Sequence, residues 1–188
     1  MEIKQISQGL ILHYPLNRNG WGNENLVLGT DVPYTTTASK IYTLSDYNLN
    51  GKTVTLSCRI DADNITLTGD KQRIGLSLKC TSENTNYYIE VWKSYKATQI
   101  TSGGRVSYIG GLSDNSSFHG YISHTFTCPA DAASFGAYIQ NLSSGTVTIS
   151  HVKLEIGDKR TTWCPNSADE IADSLNVNSN IEYDCSGY

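Results

Sequence analysis

Thr53-Val54-Thr55-Leu56-Ser57-Cys58-Arg59-Ile60 places an apolar side chain at every second position. Successive side chains of an extended chain point to opposite faces, so this run has one dry and one wet side and reads as a half-buried strand. Working outward, Ile74, Leu76, Leu78 and Cys80 alternate with Gly75, Ser77 and Lys79, and Tyr87, Ile89 and Val91 alternate with Tyr88, Glu90 and Trp92. Ile122, Phe126 and Cys128 share one parity against Tyr121, Ser123, Thr125 and Thr127, as do Phe135, Ala137 and Ile139 against Gly136, Tyr138 and Gln140. In the last run Val147 and Ile149 have one parity and Val152, Leu154 and Ile156 the other. One extra residue near Ser150-His151 restores the register, which predicts a β-bulge or strand break there.

Clusters rich in Gly, Asn, Asp and Ser separate these runs: 61–64, 68–70, 81–86, 101–104, 113–117 and 141–145. Each reads as a turn. Short strands so punctuated predict an all-β antiparallel sandwich or barrel. The single helical pattern begins at Ser167, with Asn166 or Ser167 as its cap, acids in its first turn, and Ile171 and Leu175 four apart. The length of 188 residues suits one medium domain with short appendages.

Charge narrows the partners. A formal net charge of −4 gives no basic stripe for the counterion release that drives nucleic-acid binding. The start, Met1-Glu2-Ile3-Lys4-Gln5, lacks the basic and apolar regions of a secretory signal, and no window approaches the ~18 apolar residues of a membrane span. The five cysteines are scattered and contain no C-x-x-C pair, so they read as reduced, mostly buried thiols. Motifs of nucleotide, metalloprotease and serine-hydrolase sites are missing from the sequence, and the four histidines are dispersed. The expectation is a protein that is not an enzyme.

The stretch Val147-Thr148-Ile149-Ser150-His151-Val152-Lys153-Leu154-Glu155-Ile156-Gly157, with Thr161, Trp163 and Pro165 beyond it, resembles the closing segment of galactose-binding-like jelly rolls in phage and prophage tail proteins. Asn25-Leu26-Val27-Leu28-Gly29-Thr30 is similar to that family's opening, and Thr125-Phe126-Thr127-Cys128-Pro129-Ala130-Asp131-Ala132 to its penultimate hairpin. A second resemblance brackets the first: Gly9-Leu10-Ile11-Leu12-His13-Tyr14-Pro15-Leu16-Asn17 and Tyr183-Asp184-Cys185-Ser186-Gly187-Tyr188 look like parts of a laminin G-like sandwich, which implies that the jelly roll is inserted in such a domain. The implied organisation is an N-terminal strand and loop over 1–23, a jelly roll over 24–165, and a linker with the start of a next segment over 166–188. The family resemblance implies non-catalytic adhesion to host-surface glycans from a virion tail, with synthesis in the bacterial cytoplasm and self-association or other tail proteins as further partners. Its rivals are a structural spacer or oligomerisation module of a tail fibre, and an ancillary module of a cell-wall hydrolase.

Neutral sugars offer hydroxyls for hydrogen bonding and apolar C–H faces for aromatic rings. Tyr88, Glu90 and Trp92, at alternate positions of one strand, supply both on one face; that face either projects into water as a sugar site or is itself buried, with Trp92 as an anchor and Glu90 paired at an edge. Tyr138, Gln140 and Arg59 would join them if their strands lie in the same sheet. Related jelly rolls often hold a structural calcium ion, and the resemblance implies Glu24, Asn25 and Glu155 as its oxygen ligands.

Overall fold

The computed structural model describes residues 24–35, 38–45 and 48–169. Among these residues the chain forms nine strands: β1 Ser39–Tyr42, β2 Thr53–Leu67, β3 Arg73–Ser82, β4 Thr85–Ser94, β5 Gln99–Ile100, β6 Val106–Ile109, β7 Ser116–Thr127, β8 Asp131–Gln140 and β9 Leu142–Ile156. They build a sandwich of a six-stranded sheet, β1-β8-β3-β4-β6-β5, and a three-stranded sheet, β7-β2-β9. The long strands pass back and forth between the sheets, as the jelly-roll reading expects. One pair departs from it, because β4 and β6 run parallel.

The alternating residues meet between the sheets. Leu56, Cys58 and Ile60 of β2, Ile74, Leu76 and Leu78 of β3, Ile89 and Val91 of β4, and Phe135 and Ala137 of β8 are fully buried in one core. Each large aliphatic side chain so buried contributes about 1.5–3 kcal/mol. Opposite Ser57 and Arg59 of β2 stand Lys153 and Ser150 of β9, so a single residue, Cys58, faces both His151 and Val152. His151 adopts φ 51° in this bulge. The extra residue keeps Val147, Ile149, Val152 and Leu154 all in the core, as their change of parity requires.

Residues 61–64 do not form a turn. They lie inside the 15-residue β2, where the pairing with β7 shifts between Ala62 and Ile65 and Asn64 takes φ 49°. An Asn in the left-handed region bends the strand without ending it. The chain changes sheets between β8 and β9 at Asn141 alone, again with a positive φ of 60°.

Cys58, Cys80 and Cys128 are buried and Cys164 is half-buried, all as free thiols. The helical pattern is present at residues 167–169, where the Asn166 side chain accepts the Ala168 amide at 2.9 Å. The laminin G-like segments, Cys185 and the rest of that helical pattern lie outside the described residues. Among the described residues no helix is long and apolar enough to cross a membrane.

His124 of β7 points into the sandwich, stacks on Phe126 at 5.7 Å and hydrogen-bonds the Gly104 carbonyl. Burial pushes its pKa below the usual value and outweighs the opposing effect of that hydrogen bond. The unfolded chain therefore takes up this proton first as pH falls below about 6.5. Stability is complete above that pH and declines as pH falls toward the lower folded value. Urea unfolding at pH 7.5 and 5.0 checks this: His124→Gln should narrow the gap between the two, and an unchanged gap would assign the acid sensitivity elsewhere.

Candidate functional site

Tyr88, Glu90 and Trp92 lie on the outer face of the six-stranded sheet, because Ile89 and Val91 between them are buried inward. Register assembles the neighbours. Trp92 is opposite Gly75 of β3 and Tyr108 of β6, and Gly75 is opposite Tyr138 of β8. In the next row Arg73 stands between Ser94 and Gln140. Tyr138 and Gln140 thus stand on the same face, because β8 lies in the same sheet as β4.

Trp92 is not exposed to water. It retains 1% of its accessible surface, although it stands outside the core between the sheets. Across Gly75, which stands between them in register, the Trp92 and Tyr138 rings meet edge to face at 5.9 Å. Arg73 covers the indole with its guanidinium carbon 4.4 Å from the ring centroid. The indole Nε1 donates to Glu90 at 3.0 Å. Glu90 lies 3.6 Å from the Arg73 guanidinium, and Arg73 Nε donates to Gln140 at 2.6 Å. Of the two readings of this face, the buried one holds for Trp92, whose indole is the floor of a polar–aromatic network.

Arg73 is the residue that sequence reasoning missed. Its parity with Gly75 and Ser77 places it on this face, but only the pairing of β3 with both β4 and β8 brings it over Trp92. Burial raises the Tyr138 phenol above its usual pKa, Glu90 and Tyr88 add to that rise, and Arg73 opposes it. The phenol is therefore protonated and able to donate at neutral pH.

Two accessible features border the network. Tyr88 is 50% exposed, opposite Lys79. At the other end, a cleft of about 160 Å³ is lined by Asp70, Lys71, Gln72, Arg73, Ser94, Lys96 and Tyr108. A larger cavity of about 390 Å³, between the β1–β8 edge and Thr43, Leu44, Ser45 and Leu49, contains none of the predicted site residues. The arrangement offers one exposed ring, a fixed guanidinium and several hydrogen-bonding groups.

Arg59 does not join this face. It belongs to β2 in the other sheet, whose outer surface is on the far side of the sandwich. There it holds Asp61 through two hydrogen bonds of 2.7 Å, and that contact keeps the Asp61 carboxyl below the usual carboxylate range. Parity alone does not say which sheet a strand enters.

The residues expected to hold calcium do come near one another, but their donor set does not fit the ion. The Asn25 side-chain oxygen accepts the amides of Val27 and Leu154, both at 3.2 Å, while its nitrogen donates to Val152 O and Thr30 Oγ1 at 3.0 Å. Glu155 is fully buried beside the equally buried Lys153, 3.3 Å away, and accepts the Thr161 amide and hydroxyl. Glu24 contacts the Ser167 hydroxyl at 3.1 Å. A lysine ammonium supplies the positive charge at the position where an ion would need to bring it. Among the described residues there is no group of three or more His, Cys, Asp or Glu suited to a metal.

No protein-family model matches this chain, and no curated protein matches it. Among solved structures, the chain is similar to the tripod (BppUct-A-L) from the baseplate of bacteriophage Tuc2009, at 14% identity and a TM-score of 0.40. The similarity covers 79% of this chain and 60% of that one, so the matched part spans less than two thirds of the neighbour's length.

Proposed function

We propose that this chain is a non-catalytic carbohydrate-binding module of a phage or prophage tail protein, holding host-surface glycans on the outer face of its six-stranded sheet. The observation that carries the proposal is the network of Arg73, Glu90, Trp92, Tyr138 and Gln140, which fixes polar groups beside the exposed ring of Tyr88. A sugar packs its C–H face on such a ring and exchanges hydroxyl hydrogen bonds with side chains that are already ordered, so little entropy is lost on binding. The tail role is supported by the resemblance of the closing segment, Val147 to Pro165, and of the opening at Asn25. One ring and a few hydrogen bonds give roughly millimolar affinity, near −4 kcal/mol. Display of several copies on a virion raises it by roughly 10²–10⁴.

An array of bacterial surface polysaccharides tests this reading. The wild type should bind at least one polysaccharide, and Tyr88→Ala should weaken that binding roughly two- to tenfold, the worth of one stacking contact. Its stability should change by less than about 0.5 kcal/mol, because half of that side chain is already in water. Silence across the array, or binding indifferent to Tyr88→Ala, overturns the site.

The second reading, a structural or oligomerisation module, is favoured by one observation: Ile41, an apolar side chain 57% exposed, lies on the outer edge strand of the same sheet. Sedimentation separates the two. An oligomer that dissociates in Ile41→Ser or Tyr88→Ala belongs to the second reading.

A further inference from the structure

We propose that the glycan held on this face is anionic, and that its carboxylate or phosphate sits in the cleft beyond Trp92, between Lys71, Lys96 and Arg73. The inference rests on the carbohydrate reading above and specifies its ligand.

The cleft is cationic on an acidic protein. Its lining holds three basic side chains, Lys71, Arg73 and Lys96, against the single carboxylate of Asp70, while the whole chain has a formal net charge of −4. Among the described residues neither lysine makes an ion pair, and the one carboxylate paired with Arg73 is Glu90. Such a local excess of positive charge attracts an anion. Both lysines are exposed, so their ammonium groups remain hydrated until a ligand arrives.

The three cations differ in how they are held. Arg73 is locked by Gln140, Glu90 and the Trp92 ring. A guanidinium has five N–H donors in a fixed fork, and those contacts leave donors over for a two-oxygen anion. Lys96 lies 4.5 Å from the Tyr108 centroid, which keeps its ammonium on the cleft wall. Lys71 lines the same cleft, two residues before Arg73. One rigid fork and two adjustable point charges match the planar carboxylate of a hexuronate or the oxygens of a phosphodiester.

Continuity ties the anion to a sugar. Arg73 borders the cleft on one side and covers Trp92 on the other, and Tyr138 meets the same indole. A saccharide whose acidic group enters the cleft therefore lays its ring along Tyr138 toward Tyr88. Free phosphate or a nucleic acid would use only the charged end.

The test uses the full chain on immobilised neutral, hexuronate-containing and phosphodiester-linked polysaccharides, with inorganic phosphate and double-stranded DNA as further probes. Binding is expected to one of the two charged glycan classes, whichever it is naming the source of the anion, and at least tenfold weaker to neutral glycans. Lys71→Gln and Lys96→Gln should each weaken it two- to fivefold, as should 0.5 M salt, without lowering the melting temperature. Equal binding of neutral and charged glycans overturns the anionic ligand but leaves the carbohydrate reading standing. Binding of phosphate or DNA as tight as that of any glycan overturns the saccharide part. Silence on every glycan overturns both readings.

Discussion

Lys153→Met should lower the free energy of unfolding by about 3–5 kcal/mol, and the double variant Lys153→Met/Glu155→Gln should be more stable than the sum of its two single changes predicts. Both side chains are 0% exposed and 3.3 Å apart. They occupy the outer face of β9, where Thr55 and Ser57 of β2 are buried alongside and the chain after β9 folds back across them. Lys153 donates to Thr161 Oγ1 and to the Thr162 carbonyl, both at 2.8 Å, and Glu155 accepts the Thr161 amide at 2.9 Å. Removing the ammonium leaves a carboxylate sealed away from water, which costs far more than the lost attraction itself. Removing both charges abolishes that penalty, and the side-chain carbonyl left by Glu155→Gln would still accept from Thr161. Urea unfolding of the four proteins gives the coupling, expected at roughly 1–3 kcal/mol. Strict additivity would mean that the pair is not sealed.

The same pair shows what the sequence discloses and what it withholds. The closing run, with Val152 and Leu154 at alternate positions, announces a strand edge of the core, and both residues are in it. The change of parity near Ser150-His151 announces the bulge, because one extra residue is all that reconciles two apolar sets. The family resemblance groups Glu155 with Asn25 as an ion ligand, yet Lys153, two positions away on the same side of the strand, already signals that a cation is at hand. The segment that buries the two together, 160–163, has no periodicity to reveal where it lies.

Trp92 and Arg59 mark a second limit. A period of two says which side of a strand a residue takes, and Trp92 does take the side opposite Ile89 and Val91. It does not say what covers that side, and here the cover comes from Arg73 on β3 and Tyr138 on β8. Nor does it assign strands to sheets, so parity leaves Arg59 eligible for a site that lies across the sandwich. The short strands β1, β5 and β6 escape for another reason. Two to four residues carry too little pattern, and the parallel pairing of Glu90–Lys93 with Val106–Ile109 is set by the path of the connecting chain.

Gly75→Ala should be the most damaging small substitution on the proposed binding face, at about 3 kcal/mol or more, and should leave much of the protein unfolded or insoluble. A Cβ there would lie 2.1 Å from the Val91 carbonyl oxygen, at a φ of 156°. The obstacle is backbone of the neighbouring strand β4, which is itself paired on both sides, so no side chain can swing away to make room. Gly51→Ala provides the contrast: its φ is 72°, but nothing lies within 4 Å of the added carbon, and its cost should stay near the ~1–2 kcal/mol of left-handed backbone alone. The two variants separate conformation from collision, and equal melting temperatures would show that β3 and β4 can part without loss. Spreading them would also move the strand that carries Trp92 relative to the one that carries Arg73, breaking the 4.4 Å stack over the indole. Any fraction of Gly75→Ala that stays folded should therefore lose the near-ultraviolet circular dichroism of a packed tryptophan together with glycan binding, while Gly51→Ala keeps both. A residue with no side chain thus links stability and recognition, because its close approach to Val91 sets the spacing between the strand that carries Trp92 and the strand that carries Arg73.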